Sequence, residues 1–209
     1  MNLKYSYWYF QSAIPPRICD DILAYGNEQK KERAITGDGD NSSPTKEKLE
    51  FMDKKRKSDV AWFSDSWIYK EIQPYVYQAN KNAGWNFQWD WSEPFQFTEY
   101  KKGQFYDWHT DSSEGPYSNP DEPHRYGKIR KLSVITTLTD PDEFEGGELE
   151  FDFKNNDPQF AESQPSICDE IKARGSVVVF PSFMWHRVKP VTKGLRHSLV
   201  CWNLGQPYV

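Results

Sequence analysis

The chain has 209 residues, a length that one α/β or all-β domain fills comfortably, and its 16% aromatic content with nine tryptophans excludes a disordered polypeptide. A net charge of −5 argues against a protein that tracks nucleic-acid phosphates, although a local basic run lies at Lys46 to Lys57. No apolar run approaches the roughly 18 residues of a membrane span, and Met1 to Phe10 has no secretory-signal pattern. The three cysteines, Cys19, Cys168 and Cys201, are isolated and odd in number, which fits buried small hydrophobes in a reducing cytoplasm.

In chain order, Tyr5 to Ile14 is aromatic-rich and reads as an opening strand. Pro15-Pro16 then starts a helix expected to run to about Lys31, with Ile18, Cys19, Ile22, Leu23 and Tyr25 on its apolar face. Gly37 to Ser58 has loop composition and is expected to be a mobile surface loop, with substrate capping as the alternative. Val60 to Phe63 is a short strand. Ser64 or Asp65 caps a second helix through about Asn82, whose inner face carries Trp67, Ile68, Ile72, Tyr75, Val76 and Ala79, and in which Pro74 is a point of kinking. Strands are expected at Trp85 to Trp91, Phe95 to Tyr100, Phe105 to Asp111, Lys131 to Leu138, Glu148 to Phe153, Gly175 to Pro181 and Leu195 to Leu204. Ser112 to Gly127 is a long polar loop, Asp140 to Gly147 a turn, and Lys154 to Glu170 loop-like. Closely spaced strands preceded by two helices predict a single domain over residues 1–209. It comprises N-terminal support over about 1–84 and a strand core over about 85–205, a β-sandwich or jelly roll with the helices packed on one sheet.

Within this frame, Tyr106-Asp107-Trp108-His109-Thr110-Asp111 places an imidazole and a carboxylate two residues apart, on one face if the segment is extended. Such a pair is two-thirds of a metal site. The third ligand must come from elsewhere, and of His124, His186 and His197 the strongest candidate is His186, which follows the β-branched run Gly175 to Pro181. Two histidines and one carboxylate with open positions are the signature of non-haem Fe(II) oxygenases. In the last strand, Arg196, Ser198, Val200 and Trp202 share one face, and His197, Leu199 and Cys201 the other. An inward-facing arginine calls for a carboxylate, either internal or from a dicarboxylic ligand.

Taken in order, Tyr100-x-x-Gly103-x-x-Tyr106-x-x-His109-x-Asp111, Gly146-Gly147-x-Leu149-x-Phe151, Gly175 through Pro181 leading to His186, and Arg196-x-Ser198 resemble the Fe(II)/2-oxoglutarate dioxygenases. The resemblance is closest to compact prolyl 4-hydroxylases of bacterial and marine phage type, and it covers roughly residues 95 to 205. It implies a double-stranded β-helix fold in which His109, Asp111 and His186 bind Fe(II). It further implies that Arg196, Ser198 and Tyr100 bind 2-oxoglutarate, and that Arg130 and Trp202 contact a substrate proline. Thr137 stands where some relatives carry a cosubstrate-binding tyrosine. The implied reaction couples O2 and decarboxylation of 2-oxoglutarate, to succinate and CO2, with hydroxylation of a proline-containing peptide or protein, with ascorbate as reductant. The expected location is cytoplasmic, in the host cytoplasm if the chain is phage-encoded. Two alternatives stand beside this reading: the same chemistry on a free amino acid, another side chain or a nucleobase, and a catalytically silent jelly-roll binding module.

Overall fold

The computed structural model describes residues 3–34, 46–113, 115–153 and 164–208. In chain order its elements begin with β1 (Trp8–Phe10), α1 (Pro16–Glu28), β2 (Glu32–Arg33), α2 (Lys46–Lys55), β3 (Arg56–Lys57), β4 (Asp59–Phe63) and α3 (Ser66–Asn82). There follow β5 (Trp91–Ser92), β6 (Phe95–Lys101), β7 (Phe105–His109), β8 (Ile129–Thr137), β9 (Phe144–Gly146) and β10 (Leu149–Asp152). The chain closes with β11 (Ser166–Ile167), β12 (Val177–Pro181), β13 (Trp185–Val188) and β14 (Val191–Gly205).

The strands form two antiparallel sheets. The larger runs β1-β12-β8-β14-β6-β4-β2, with β5 and β9 also paired to β14, and the smaller runs β11-β10-β13-β7-β3. Alternation along the strands of the larger sheet makes it the shared wall of two cores. On β12, Val177 and Val179 point to the helices while Val178 and Phe180 point to the smaller sheet. The helical side gathers Ile22 of α1 and Ile68, Ile72, Val76 and Ala79 of α3 against Phe95, Phe97, Leu132 and Leu199. Between the sheets lie Ile135, Leu149, Phe151, Met184 and Val188. This is the expected jelly roll with helices on one sheet.

Pro16 occupies the first turn of α1, where its missing N–H costs nothing. Cys19, Ile22 and Gly26 form the buried stripe of this helix. A Cβ at Gly26 would lie 2.6 Å from the Phe97 ring, so glycine is what lets α1 sit directly on the sheet. In α3, Pro74 lies within the helix on its exposed side. No helix among the described residues is long and apolar enough to cross a membrane.

Four expectations need correction. The Gly37 to Ser58 stretch is not all loop: residues 46–55 form α2, with Glu47 in the first turn and Lys54 and Lys55 in the last, matching the helix dipole, and Met52 buried. The loop expected over residues 37–45 lies outside the described residues, as does 154–163. Trp85 to Trp91 is not a strand until its last residue. The Asn80 side chain takes the place of a neighbouring strand, donating to the Phe87 carbonyl and accepting from the Phe87 N–H at 3.0 Å each. The opening strand shrinks to Trp8–Phe10, and α1 stops at Glu28 instead of Lys31. Finally, β13, which carries His186, is a strand that the apolar pattern does not announce.

One polar cluster braces the large sheet. Buried Glu99 on β6 accepts hydrogen bonds from Lys31 and His197 and pairs with Lys101 at 3.0 Å. Burial alone would raise its carboxyl, but the donors Lys31, Lys101 and His197 win and lower it from 4.5 to about 2. A depressed carboxyl stabilises the fold above its unfolded pKa and ceases to do so as pH falls through the folded value. Glu99→Gln is therefore expected to lose on the order of 3 kcal/mol at pH 7, and urea denaturation should show the deficit shrinking between about pH 4.5 and pH 2.

Candidate active site

Strands β7 and β13 are antiparallel neighbours in the smaller sheet, with His186 directly opposite His109. The strand β7 ends at His109, so Asp111 owes its position to what catches the chain beyond it, and not to strand alternation. The N–H groups of Asp111 and Ser112 both donate to the Ser182 carbonyl at 2.9 Å. The Asp111 carboxylate accepts a 2.6 Å hydrogen bond from the Ser133 hydroxyl, itself 2.9 Å from the Ser182 hydroxyl. Asp111 Oδ1 then lies 3.6 Å from His109 Nε2, and Oδ2 3.5 Å from His186 Nε2. The three ligand atoms fall within 4.8 Å of one another.

The donor chemistry suits a divalent ion of borderline softness. His109 Nδ1–H donates to the Asp107 carbonyl at 2.8 Å and His186 Nδ1–H to the Met184 carbonyl at 2.9 Å. Both bonds set the tautomer that leaves a lone pair on Nε2, facing the carboxylate. Burial, reinforced by the neighbouring His186, pushes His109 well below the usual histidine range, so its imidazole is neutral. Burial by itself raises the Asp111 carboxyl, but His186, His109, Arg130 and the Ser133 hydroxyl outweigh it, and the group is an anion. Two imidazoles and one carboxylate, on one side of a cavity, fit an Fe(II) ion with open positions.

The cavity of about 30 Å³ at this triad is also lined by Tyr100, Tyr106, Arg196, Ser198 and Trp202. Residues Arg196, Ser198, Val200 and Trp202 face it, while Leu199 and Cys201 face the helical core, as the alternation of β14 predicts. Arg196 is 3% exposed and has no carboxylate within ion-pair distance among the described residues. Among the described residues its one hydrogen bond is a long 3.4 Å contact to Ser198 Oγ, and its guanidinium sits 5.5 Å from the Tyr100 ring. Burial lowers its pKa, the mark of a cation short of a partner. Thr137 donates to the Ile171 carbonyl at 2.9 Å and lines a second cavity beside Arg196.

Arg130 does have a partner. It makes a bidentate pair with Glu93, Nε to Oε1 at 2.8 Å and Nη2 to Oε2 at 2.7 Å, and Arg125 adds a third bond at 2.8 Å. The Arg130 guanidinium lies 3.9 Å over the Trp202 ring, whose Nε1–H is buried with no hydrogen-bond partner among the described residues. Glu93, fully buried, and Ser133 and Ser182, which hold Asp111, escape sequence reasoning. The one signal is a hydroxyl or carboxylate inside an otherwise apolar strand pattern. Arg56 escapes it as well, hidden in the basic run. It is 6% exposed, stacks 4.5 Å from the Tyr106 ring, lines the triad cavity and leaves Nη2 unpaired. The remaining histidines lie elsewhere: His197 bonds Glu99 and Thr139, and exposed His124 stacks on Trp91. Removing one side of the Glu93–Arg130 pair strands a buried charge, so Glu93→Ala is expected to cost about 3–5 kcal/mol in chemical denaturation.

The sequence matches the family model described as the 2OG-Fe(II) oxygenase superfamily over residues 95–203. It is 32% identical over 109 residues to a PKHD-type hydroxylase of Pseudoalteromonas atlantica, and 34% identical over 110 residues to one of Parvibaculum lavamentivorans. Each alignment covers 52% of this chain and 42% of the relative, so the chain spans about two-fifths of the length of the curated relatives it matches. Among solved structures, the fold is similar to a viral collagen prolyl hydroxylase from Paramecium Bursaria Chlorella virus-1, with a TM-score of 0.64, 17% identity and 97% of both chains covered. It is also similar to a prolyl-4-hydroxylase from Pseudomonas putida, with a TM-score of 0.63, 16% identity, and 98% of this chain and 95% of that one covered. The family match takes in His109, Asp111, His186, Arg196 and Ser198 together, and the chain belongs to the 2OG-Fe(II) oxygenase superfamily.

Proposed function

We propose that residues 1–209 form one catalytic domain, an Fe(II)- and 2-oxoglutarate-dependent dioxygenase that hydroxylates a peptidyl proline. The observation that carries this reading is the pairing, in one cavity, of the His109–Asp111–His186 donor set with the buried Arg196, which has no ion-pair partner among the described residues. In this reading His109 Nε2, His186 Nε2 and the Asp111 carboxylate hold the iron. Ser133 and the two Nδ1 hydrogen bonds keep those donors aimed. Arg196 receives the distal carboxylate of 2-oxoglutarate, and the Ser198 and Tyr100 hydroxyls add neutral hydrogen bonds.

When bound, ferrous iron supplies the O2 chemistry in which one oxygen atom enters succinate, CO2 leaves and the other oxygen enters the substrate as hydroxyl. The protein's contribution is position and dryness. Ile135, Val188 and Val200 wall the cavity with hydrocarbon. Trp202, held under Arg130, and the half-exposed Trp62 beside it form an aromatic edge suited to a proline ring. The unpaired Arg56 Nη2 and Trp202 Nε1 donors suit peptide carbonyls. Ascorbate would serve as reductant. Three free, buried cysteines support a reducing cytoplasm as the setting.

His109→Ala is expected to abolish iron-dependent 2-oxoglutarate decarboxylation, and full residual activity would refute the ligand assignment. Arg196→Ala should raise the 2-oxoglutarate requirement at least tenfold while iron still binds, read from separate titrations of cosubstrate and metal. For the substrate, succinate release is compared on proline-rich peptides, free proline and single-stranded DNA. Peptide-dependent succinate with a gain of 16 mass units, roughly one oxygen atom, on proline is the expected result, and stimulation by either rival substrate alone would move the assignment.

A further inference from the structure

Arg130 and Lys131 are consecutive on β8, yet only the first belongs to the site described above. On β14, Leu204 and Asn203 pair with Arg130 and Leu132, so Lys131 is the extra residue of a β-bulge, a device that re-aims a side chain. Arg130 turns to Glu93 and Trp202. Lys131 turns to Tyr208, which packs on the helical core, and its ammonium lies 3.5 Å from the Tyr208 ring centroid. The residue is 4% exposed, and among the described residues no oxygen accepts a hydrogen bond from its ammonium and no carboxylate lies within ion-pair distance. Burial lowers its pKa with nothing to oppose the shift. Lys131 lines a groove of about 550 Å³ between residues 86–90 and 205–208, within the roughly 300–1,000 Å³ of small-molecule sites. A Cβ at Gly205 would collide with the Gln88 carbonyl oxygen, so glycine is what lets the two walls approach. Phe87, Trp89 and Tyr208 give the groove aromatic surface, and the exposed Gln88 and Gln206 stand at its mouth. Asp90, the one acid in its lining, is paired with Lys128 at 2.7 Å.

We propose that this groove is a second binding site, for a small aromatic monocarboxylate whose carboxylate pairs with Lys131 and whose ring lies against Phe87 and Trp89. A buried ammonium short of an acceptor is costly, and a carboxylate supplies both the missing charge and the missing hydrogen bond. The single unengaged cation matches a singly charged anion better than a phosphate dianion, since Lys128 is already held by Asp90. The aromatic lining favours a flat, ring-bearing body over an aliphatic one. The groove shares no lining residue with the triad cavity, so the inference stands independently of the oxygenase reading.

The test is calorimetric titration of the full chain with benzoate, acetate and AMP, in a carboxylate-free chloride buffer apart from saturating Mn(II) and 2-oxoglutarate, which occupy the triad and Arg196. Benzoate is expected to bind one per chain with a Kd of about 1 mM or tighter, and acetate and AMP at least tenfold more weakly. Lys131→Met keeps the unbranched apolar stem and removes the charge, and should weaken benzoate at least tenfold. Where that variant does not fold, Gln206→Glu replaces it: the position is exposed, and the new carboxylate at the mouth of the groove competes for Lys131, with the same loss expected. Absence of benzoate binding, or binding that the folded variant leaves within tenfold of the unmodified protein, overturns the proposal. Acetate binding as tightly as benzoate overturns the aromatic part of the assignment, and AMP binding as tightly overturns the carboxylate part.

Discussion

The antiparallel register that sets His186 opposite His109 is the constraint on which the site depends. Two imidazoles on adjacent strands converge only when those strands pair in that register, since a slip of one residue would turn one ring to the other face. The register is locked from both sides of the smaller sheet. Next to β13, β10 pairs Phe151 with His186 and packs Phe151 into the inter-sheet core. Next to β7, β3 pairs Arg56 with Tyr106. The Tyr106 ring in turn stacks on His109. The convergence of the two candidate histidine ligands thus follows from ordinary sheet packing.

Asp111 is the exception, because it lies past the end of its strand. Two backbone N–H groups bind one carbonyl of Ser182, at the end of β12, and the carboxylate bonds to Ser133 of β8. These contacts tie the smaller sheet to the larger. They also explain why two small hydroxyl residues are fully buried among valines and leucines: each buried hydroxyl has a partner, and that partner is the site or its support.

Charge is distributed unevenly around the cavity. Glu93 satisfies Arg130 and Arg125, so that cluster is rigid and electrically settled. Among the described residues, buried Arg196 and Arg56 have no carboxylate within ion-pair distance, Glu148 acting on Arg196 only from further off. A fold that keeps two such cations stores an electrostatic demand at its centre, which an anionic or carbonyl-rich ligand meets. The stability lost in holding them is consistent with a site built for binding and not for packing.

Local information in the sequence determined a large part of this. Alternation on β14 sorted Leu199 and Cys201 from Arg196 and Ser198, and helical spacing marked Ile68, Ile72, Val76 and Ala79 as the buried face of α3, because both periodicities are properties of the chain itself. The order of His109, Asp111, His186 and Arg196 was legible for the same reason. Tertiary structure alone decided which atoms hold those residues. Ser133 and Asp111 are 22 residues apart, Glu93 and Arg130 37, and Asn80 replaces a strand partner for Phe87 through its side chain. Contacts of that kind leave no period to read, since they depend on where two distant segments meet in space.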